Sequence, residues 1–160
     1  NAIAGSAICA FNMTAIASSF NGPFKHQEHS GAAWEKKRVP NHYRQHCGTV
    51  NVPPHQIMDN QRYQLMDDAV QGTTVPPLHT TTMERFTHIA VDIIPTKLHR
   101  SVTILYVANT EGLIKKISVL PRTQETCIVE IWGPLPSPAM TLQFLKDSQS
   151  LYVGMETGLL

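Results

Sequence analysis

The sequence predicts an all-β fold, part of a β-propeller, with a small two-helix extrusion set into it. Three observations carry this. The stretch Leu105 to Ile114 (LYVANTEGLI) returns as Leu151 to Leu160 (LYVGMETGLL), 46 positions later, a spacing within the range of propeller blades. Each copy reads as an apolar strand, a polar turn holding Glu and Gly, and a second apolar strand, the pattern of a hairpin inside one blade. A polar segment rich in His and Pro, residues 25–60, interrupts the strands and is too long for an ordinary connection, which argues for a packed subdomain.

Along the chain, the small apolar run from Ile3 to Phe11 is a candidate strand. Met13, Ile16 and Phe20 then recur at helical spacing, with Asn12 as cap and Gly22-Pro23 as stop, predicting a short amphipathic helix. A second short helix is expected over Gln61–Val70, capped by Asp59 or Asn60, with Tyr63, Met66 and Val70 on one face. Both helices are too short to be stable alone, so their stripes are expected to bury against each other: Met13, Ile16 and Phe20 against Tyr63, Met66 and Val70.

Strands resume with Leu78–Thr82, bounded by Pro76-Pro77. Phe86–Ile94 follows, placing Phe86, His88, Ala90 and Asp92 on one side and Thr87, Ile89, Val91 and Ile93 on a clearly apolar other side. Val102–Ala108, Leu113–Val119 and Cys127–Trp132 complete a set of four, and Met140–Leu145 opens the next. A blade of about 40 to 50 residues repeated at least four times needs more chain than this. The start at Asn1 and the end in mid-strand at Leu160 likewise predict a piece of a larger protein.

Composition excludes several classes of function. With 42% apolar and 16% charged residues the chain is globular in type. A net charge of +1, from 13 basic and 12 acidic residues spread along the chain, sets up no field for nucleic acid or anionic lipid, and Lys36-Lys37-Arg38 is too short to change that. No apolar run approaches the about 20 residues that span a bilayer.

His42 and His46 beside Cys47, with His26 and His29 nearby, have a metal-like spacing, but no CxxC or HExxH supplies the other half, and no metal is expected. Asp67 and Asp68 are adjacent and do not face each other on a helix, while Glu111 and Glu156 fall in the repeated turns; all four read as structural. Ser6, Ser18 and Ser19 lie in no nucleophile elbow, and no phosphate-binding loop occurs, so neither an enzyme nor a cofactor nor a small-molecule substrate is expected. Asn12-Met13-Thr14 is a sequon, and the sequence leaves open whether Asn12 carries a sugar or caps the helix. Cys9, Cys47 and Cys127 are widely spaced, and composition leaves open whether they are disulfide-bonded or reduced.

The segment GSAICAFNMTAIASSFNGPFKHQE, then AAWEKK, the Cys-Gly-Thr at 47–49, RYQLMDDAV, FTHIAVDII and VANTEGLIKKISVL occur in the order found in the last third of a semaphorin sema domain. GPFKHQE and AAWEKK look closest to class 5 semaphorins. The resemblance covers the whole chain and implies a seven-bladed propeller. Residues 1–11 would be a strand of blade five, 12–71 the extrusion, 72–85 the last strand of blade five and a linker, 86–133 blade six, and 134–160 the start of blade seven.

It further implies that Cys9 and Cys47 are bonded to partners earlier in the domain, whereas Cys127 lies outside the common pattern and its partner stays open. Implied also are an extracellular or cell-surface location in a parent that is secreted or membrane-anchored, a plexin receptor as partner, and sema homodimers in which the extrusion takes part. Plexins and scatter-factor receptors carry the same domain and are the alternative, but RYQLMDDAV resembles the semaphorin version of that segment. A propeller scaffold of the WD40 type would show Trp-Asp endings, and none occurs.

Overall fold

The computed structural model describes residues 4–38, 62–98 and 101–159. The chain divides into two compact units, residues 1–10 with 74–160, and residues 11–73.

In the first unit, β1 (Ser6–Ile8) pairs antiparallel with β5 (His79–Thr81), Ile8 opposite His79 and Ser6 opposite Thr81, so the whole of the second unit is inserted between two paired strands. Strands β6 (Phe86–Ile94), β7 (Val102–Asn109), β8 (Ile114–Val119) and β9 (Thr126–Trp132) form a four-stranded antiparallel meander in chain order. A third sheet follows in the order β10 (Ala139–Leu145), β11 (Ser150–Met155) and β12 (Gly158–Leu159).

The middle strand β7 is a near-continuous apolar run because both of its faces are covered. Leu105 and Val107 join Ile117 and Val119 of β8 in a core closed by Ile8 of β1 and by Leu78. On the other face, Ile104 and Tyr106 join Ala90 and pack with Leu142, Phe144 and Leu151 of the third sheet. Tyr106 stacks between Phe144 and Trp132, at centroid distances of 5.3 and 6.2 Å. A register shift between Lys116 and Ile117 breaks the strict alternation of β8, so that Ile114, Ile117 and Val119 are the buried residues there. Gly112 closes the β7–β8 turn at φ +76°, a conformation L side chains rarely adopt, and its carbonyl accepts a 2.8 Å hydrogen bond from Leu135 N–H, tying the turn to the link between the two sheets.

Strand β6 is the one expected, but its buried side is not its apolar one. Ala90 and Asp92 are each 9% exposed, while Ile89, Val91 and Ile93 stand about half open at 48, 52 and 52%. The third sheet packs on the Ala90 side, while the isoleucine side, which β6 shares with Leu105 and Val107 of β7, is only half covered.

The second unit holds α1 (Met13–Phe20) and a small sheet in the order β3 (Glu35–Lys37), β2 (Phe24–His26) and β4 (Leu65–Met66). Phe11 and Gly72 form an isolated bridge at its two ends. The second predicted helix, Gln61–Val70, does not form over residues 62–70; Gln61 and its proposed caps lie outside the described residues. Residues 65–66 are extended and pair with Phe24 and Lys25 of β2, and Asp67 N–H donates to the Pro23 carbonyl at 2.9 Å. A ten-residue helix is marginal without a partner surface, and pairing to β2 satisfies the same backbone groups.

Candidate interaction surface

The sequence-predicted residues of the second unit do not converge as expected. Met13 and Phe20 of α1 are 74% and 66% exposed, so neither is buried against a second element; Ile16 and Val70 are half-buried, and the one buried residue of α1 is Ser19. Tyr63 instead meets the rings of Phe24, edge-on at 5.8 Å, and His26 at 5.1 Å, with Lys37 Nζ 6.0 Å above it. Met66 is half-buried in β4.

Beside this ring cluster, Lys36 Nζ lies 3.0 Å from Asp67 and 3.1 Å from Asp68. The hydrogen bond to Asp67, then that to Asp68, hold the lysine above its ordinary pKa. The adjacent aspartates thus clamp one ammonium. Trp34 and Leu65 are 53% and 54% exposed. His26 is 8% exposed and His29 is open, while His42, His46 and Cys47 lie outside the described residues.

Asn12 does what its position predicts. Its backbone is extended, its Oδ1 accepts from Thr14 N–H at 2.8 Å, and its carbonyl accepts from Ile16 N–H at 3.1 Å. Cys9 and Cys127 are exposed, and neither is bonded to another cysteine among the described residues.

In the first unit the structure reveals a polar centre that sequence reading missed. Asn109 is 1% exposed; its Oδ1 accepts from Glu111 N–H at 3.0 Å and Leu113 N–H at 2.8 Å, and its Nδ2 donates to Glu84 Oε1. The other Glu84 oxygen accepts from Lys115 Nζ at 2.6 Å. Ser6 Oγ joins the segments, donating to the Glu84 carbonyl and accepting from Phe86 N–H.

Burial pushes the Glu84 carboxyl up, but the hydrogen bonds from Lys115 and Asn109 outweigh it and hold the group below the usual carboxylate range. His79 is pushed down by burial and by the Lys115 charge, with Glu84 opposing. Thr126 Oγ1 donates to the Leu78 carbonyl, so its contact with His79 Nδ1, at 2.8 Å, is one in which the ring nitrogen donates. A signal for Asn109 was present in the chain, since Asn at the start of a turn bonds the backbone ahead of it, but the other copy of the repeat has Met155 at that place.

Among the described residues no three His, Cys, Asp or Glu side chains come together to hold a metal, and no helix is long and apolar enough to cross a membrane. Outside the β6 face, the exposed apolar and charged groups of the described residues include the side chains of the edge strand β9 (Ile128, Val129 and Ile131, 43 to 56% exposed) and the ringed, charged face of the second unit.

A four-stranded meander packed through its apolar faces on a two-stranded and a three-stranded sheet, with a subdomain inserted between two paired strands, has the pattern of part of a propeller. The sema domain family matches residues 1–147, and the chain belongs to that family. Within it the chain is similar to class 5 semaphorins. It is 40% identical to Semaphorin 5c of Drosophila melanogaster over 99% of its length and 39% identical to human Semaphorin-5A over 97%, in each case spanning about 15% of the relative.

Among solved structures, Drosophila Semaphorin 2a superposes with a TM-score of 0.82 at 27% identity, over 99% of this chain and 27% of that one. A structure of Drosophila Plexin A in complex with Semaphorin 1b does so with 0.79 at 25% identity, over 99% and 34%. The sema domain of semaphorins is a non-enzymatic signalling module, and the family is generally secreted or displayed at the cell surface.

Proposed function

We propose that the chain is part of an extracellular semaphorin-type ligand that binds a plexin receptor in axon guidance and cell migration. One observation carries the reading: a semaphorin-like sequence along nearly the whole chain joined to a fold shared with a structure of a semaphorin–plexin complex. In the class 5 frame, residues 1–11 and 72–85 belong to blade five, 12–71 to the extrusion, 86–133 to blade six and 134–160 to blade seven. The open isoleucine face of β6 supports this division, since a blade flanked on both sides needs two apolar faces.

The extrusion is assigned a part in homodimer assembly. Trp34 and Leu65, both half-exposed beside charged residues, are the kind of surface that aromatic-rich interfaces use. Cys9 and Cys47 are assigned to disulfides with partners earlier in the parent domain, and Cys127 is left without an assigned partner. The test is titration of immobilised plexin ectodomains with the full-length protein. Saturable binding to at least one plexin is expected. Absence of binding across the plexin classes, with capture of a semaphorin instead, would place the chain among the receptors.

A further inference from the structure

We infer that Asn12 is an N-glycosylation site that keeps its helix cap when glycosylated. The chain contains a single Asn-x-Ser/Thr sequence, Asn12-Met13-Thr14, and Asn12 is exposed. From sequence, capping and glycosylation compete for one side chain. The structure divides the side chain between them. The cap uses Oδ1, which accepts from Thr14 N–H at 2.8 Å, whereas among the described residues no hydrogen bond engages Nδ2. A glycosylated amide retains its carbonyl oxygen and hence the acceptor that the helix needs.

The chemistry balances with one co-reactant, a polyprenyl pyrophosphate-linked oligosaccharide met on the secretory route. The Nδ2 atom bonds to the anomeric carbon of the first sugar and the bond from that carbon to the pyrophosphate oxygen breaks. The amide loses one proton to a base of the transferring enzyme, and polyprenyl pyrophosphate leaves. Because folding then asks nothing further of Nδ2, the sugar added to the nascent chain does not have to be displaced. It extends beside Phe11 and Met13, 50% and 74% exposed, and keeps the first turn of α1 in solvent. A second copy must therefore approach the extrusion by another face.

The inference rests on the extracellular reading, so the experiment imposes secretion and does not consult plexin. The full-length protein is expressed in mammalian cells behind a cleavable leader and digested. The Asn12 peptide is then treated with peptide N-glycosidase in ¹⁸O water, which marks a formerly glycosylated Asn as labelled Asp. Label on more than half of the peptide is expected; unlabelled peptide from secreted, folded protein overturns the inference.

Two variants separate sugar from cap. Thr14→Ala removes the hydroxyl that the sequon requires and leaves the residue-14 N–H, and Asn12→Asp keeps an acceptor oxygen. Both should lose the sugar while amide exchange of residues 14–20 stays slow. Faster exchange in both, with the sugar gone, would show that the glycan and not Oδ1 holds the helix start, and would overturn the shared role.

Discussion

The four-stranded sheet β6–β9 and the inserted unit 11–73 are built on different principles. In the sheet, Ile117 is 0% exposed, Val107 and Ala108 are 1% exposed, and apolar clusters close both faces of β7. In the inserted unit none of the buried hydrophobic residues occurs among those described; its buried side chains include Ser19 and His26, and a ring cluster and a lysine held by two aspartates join its strands. The sheet is held by burial, and the described part of the insert by individual pairings between its strands.

The sharpest separation should come from Ile117→Ala. Truncating a fully buried isoleucine typically costs about 2–5 kcal/mol, whereas Met13→Ala on α1 should stay within about 0.5 kcal/mol, both read from chemical denaturation of the full-length protein. Equal effects would erase the distinction.

Within the first unit, Asn109→Ala should cost about 1–3 kcal/mol by leaving turn N–H groups and the Glu84 carboxylate short of partners. Met155→Ala, at the same place in the other repeat, should cost less, because no polar centre depends on that side chain.

The polar centre also predicts a pH dependence. Its environment holds the Glu84 carboxyl below its ordinary value, so its contribution is complete above about pH 4.3, the unfolded glutamate value, and fades as pH falls through the lower folded value. Glu84→Gln should therefore destabilise at neutral pH, by about 1.5 kcal/mol for a charged hydrogen bond, and approach the parent as pH falls through the lower folded value. A constant gap between the two denaturation curves across that range would contradict the assignment. The smallest effect is expected from Lys36→Ala, whose ammonium is open to solvent: no measurable change in global unfolding, with faster amide exchange confined to residues 35–37 and 65–68.

The same contrast explains what could be read from the chain. Strands of six to nine residues such as β6 and β8 show themselves through alternation and through a repeat 46 residues apart. Asn12 and Gly22-Pro23 gave the bounds of α1 because caps are local chemistry. Residues 65–66 escaped because a two-residue strand has no period of its own; its conformation is set by Phe24 and Lys25, about 40 positions earlier. The Glu84–Asn109–Lys115 centre escaped for a related reason: Asn109 carried only a turn signal, and Glu84 and Lys115 are unremarkable until folding brings the three together. The isoleucine face of β6 was legible as apolar, but which face the neighbouring sheet covers is a tertiary fact.

If the sheets carry the stability and the insert carries assembly, Tyr63→Ala should divide the two. It removes the ring that joins Phe24, His26 and Lys37, an interaction of about 0.5–1.5 kcal/mol beyond its area. The decisive measurement takes one preparation of the full-length Tyr63→Ala protein through sedimentation equilibrium and titration against a monomeric plexin ectodomain. Weaker self-association with unchanged plexin affinity is expected, so that signalling falls through lost avidity. Intact self-association, or plexin affinity lost while the dimer persists, would contradict the division of labour between sheet and insert.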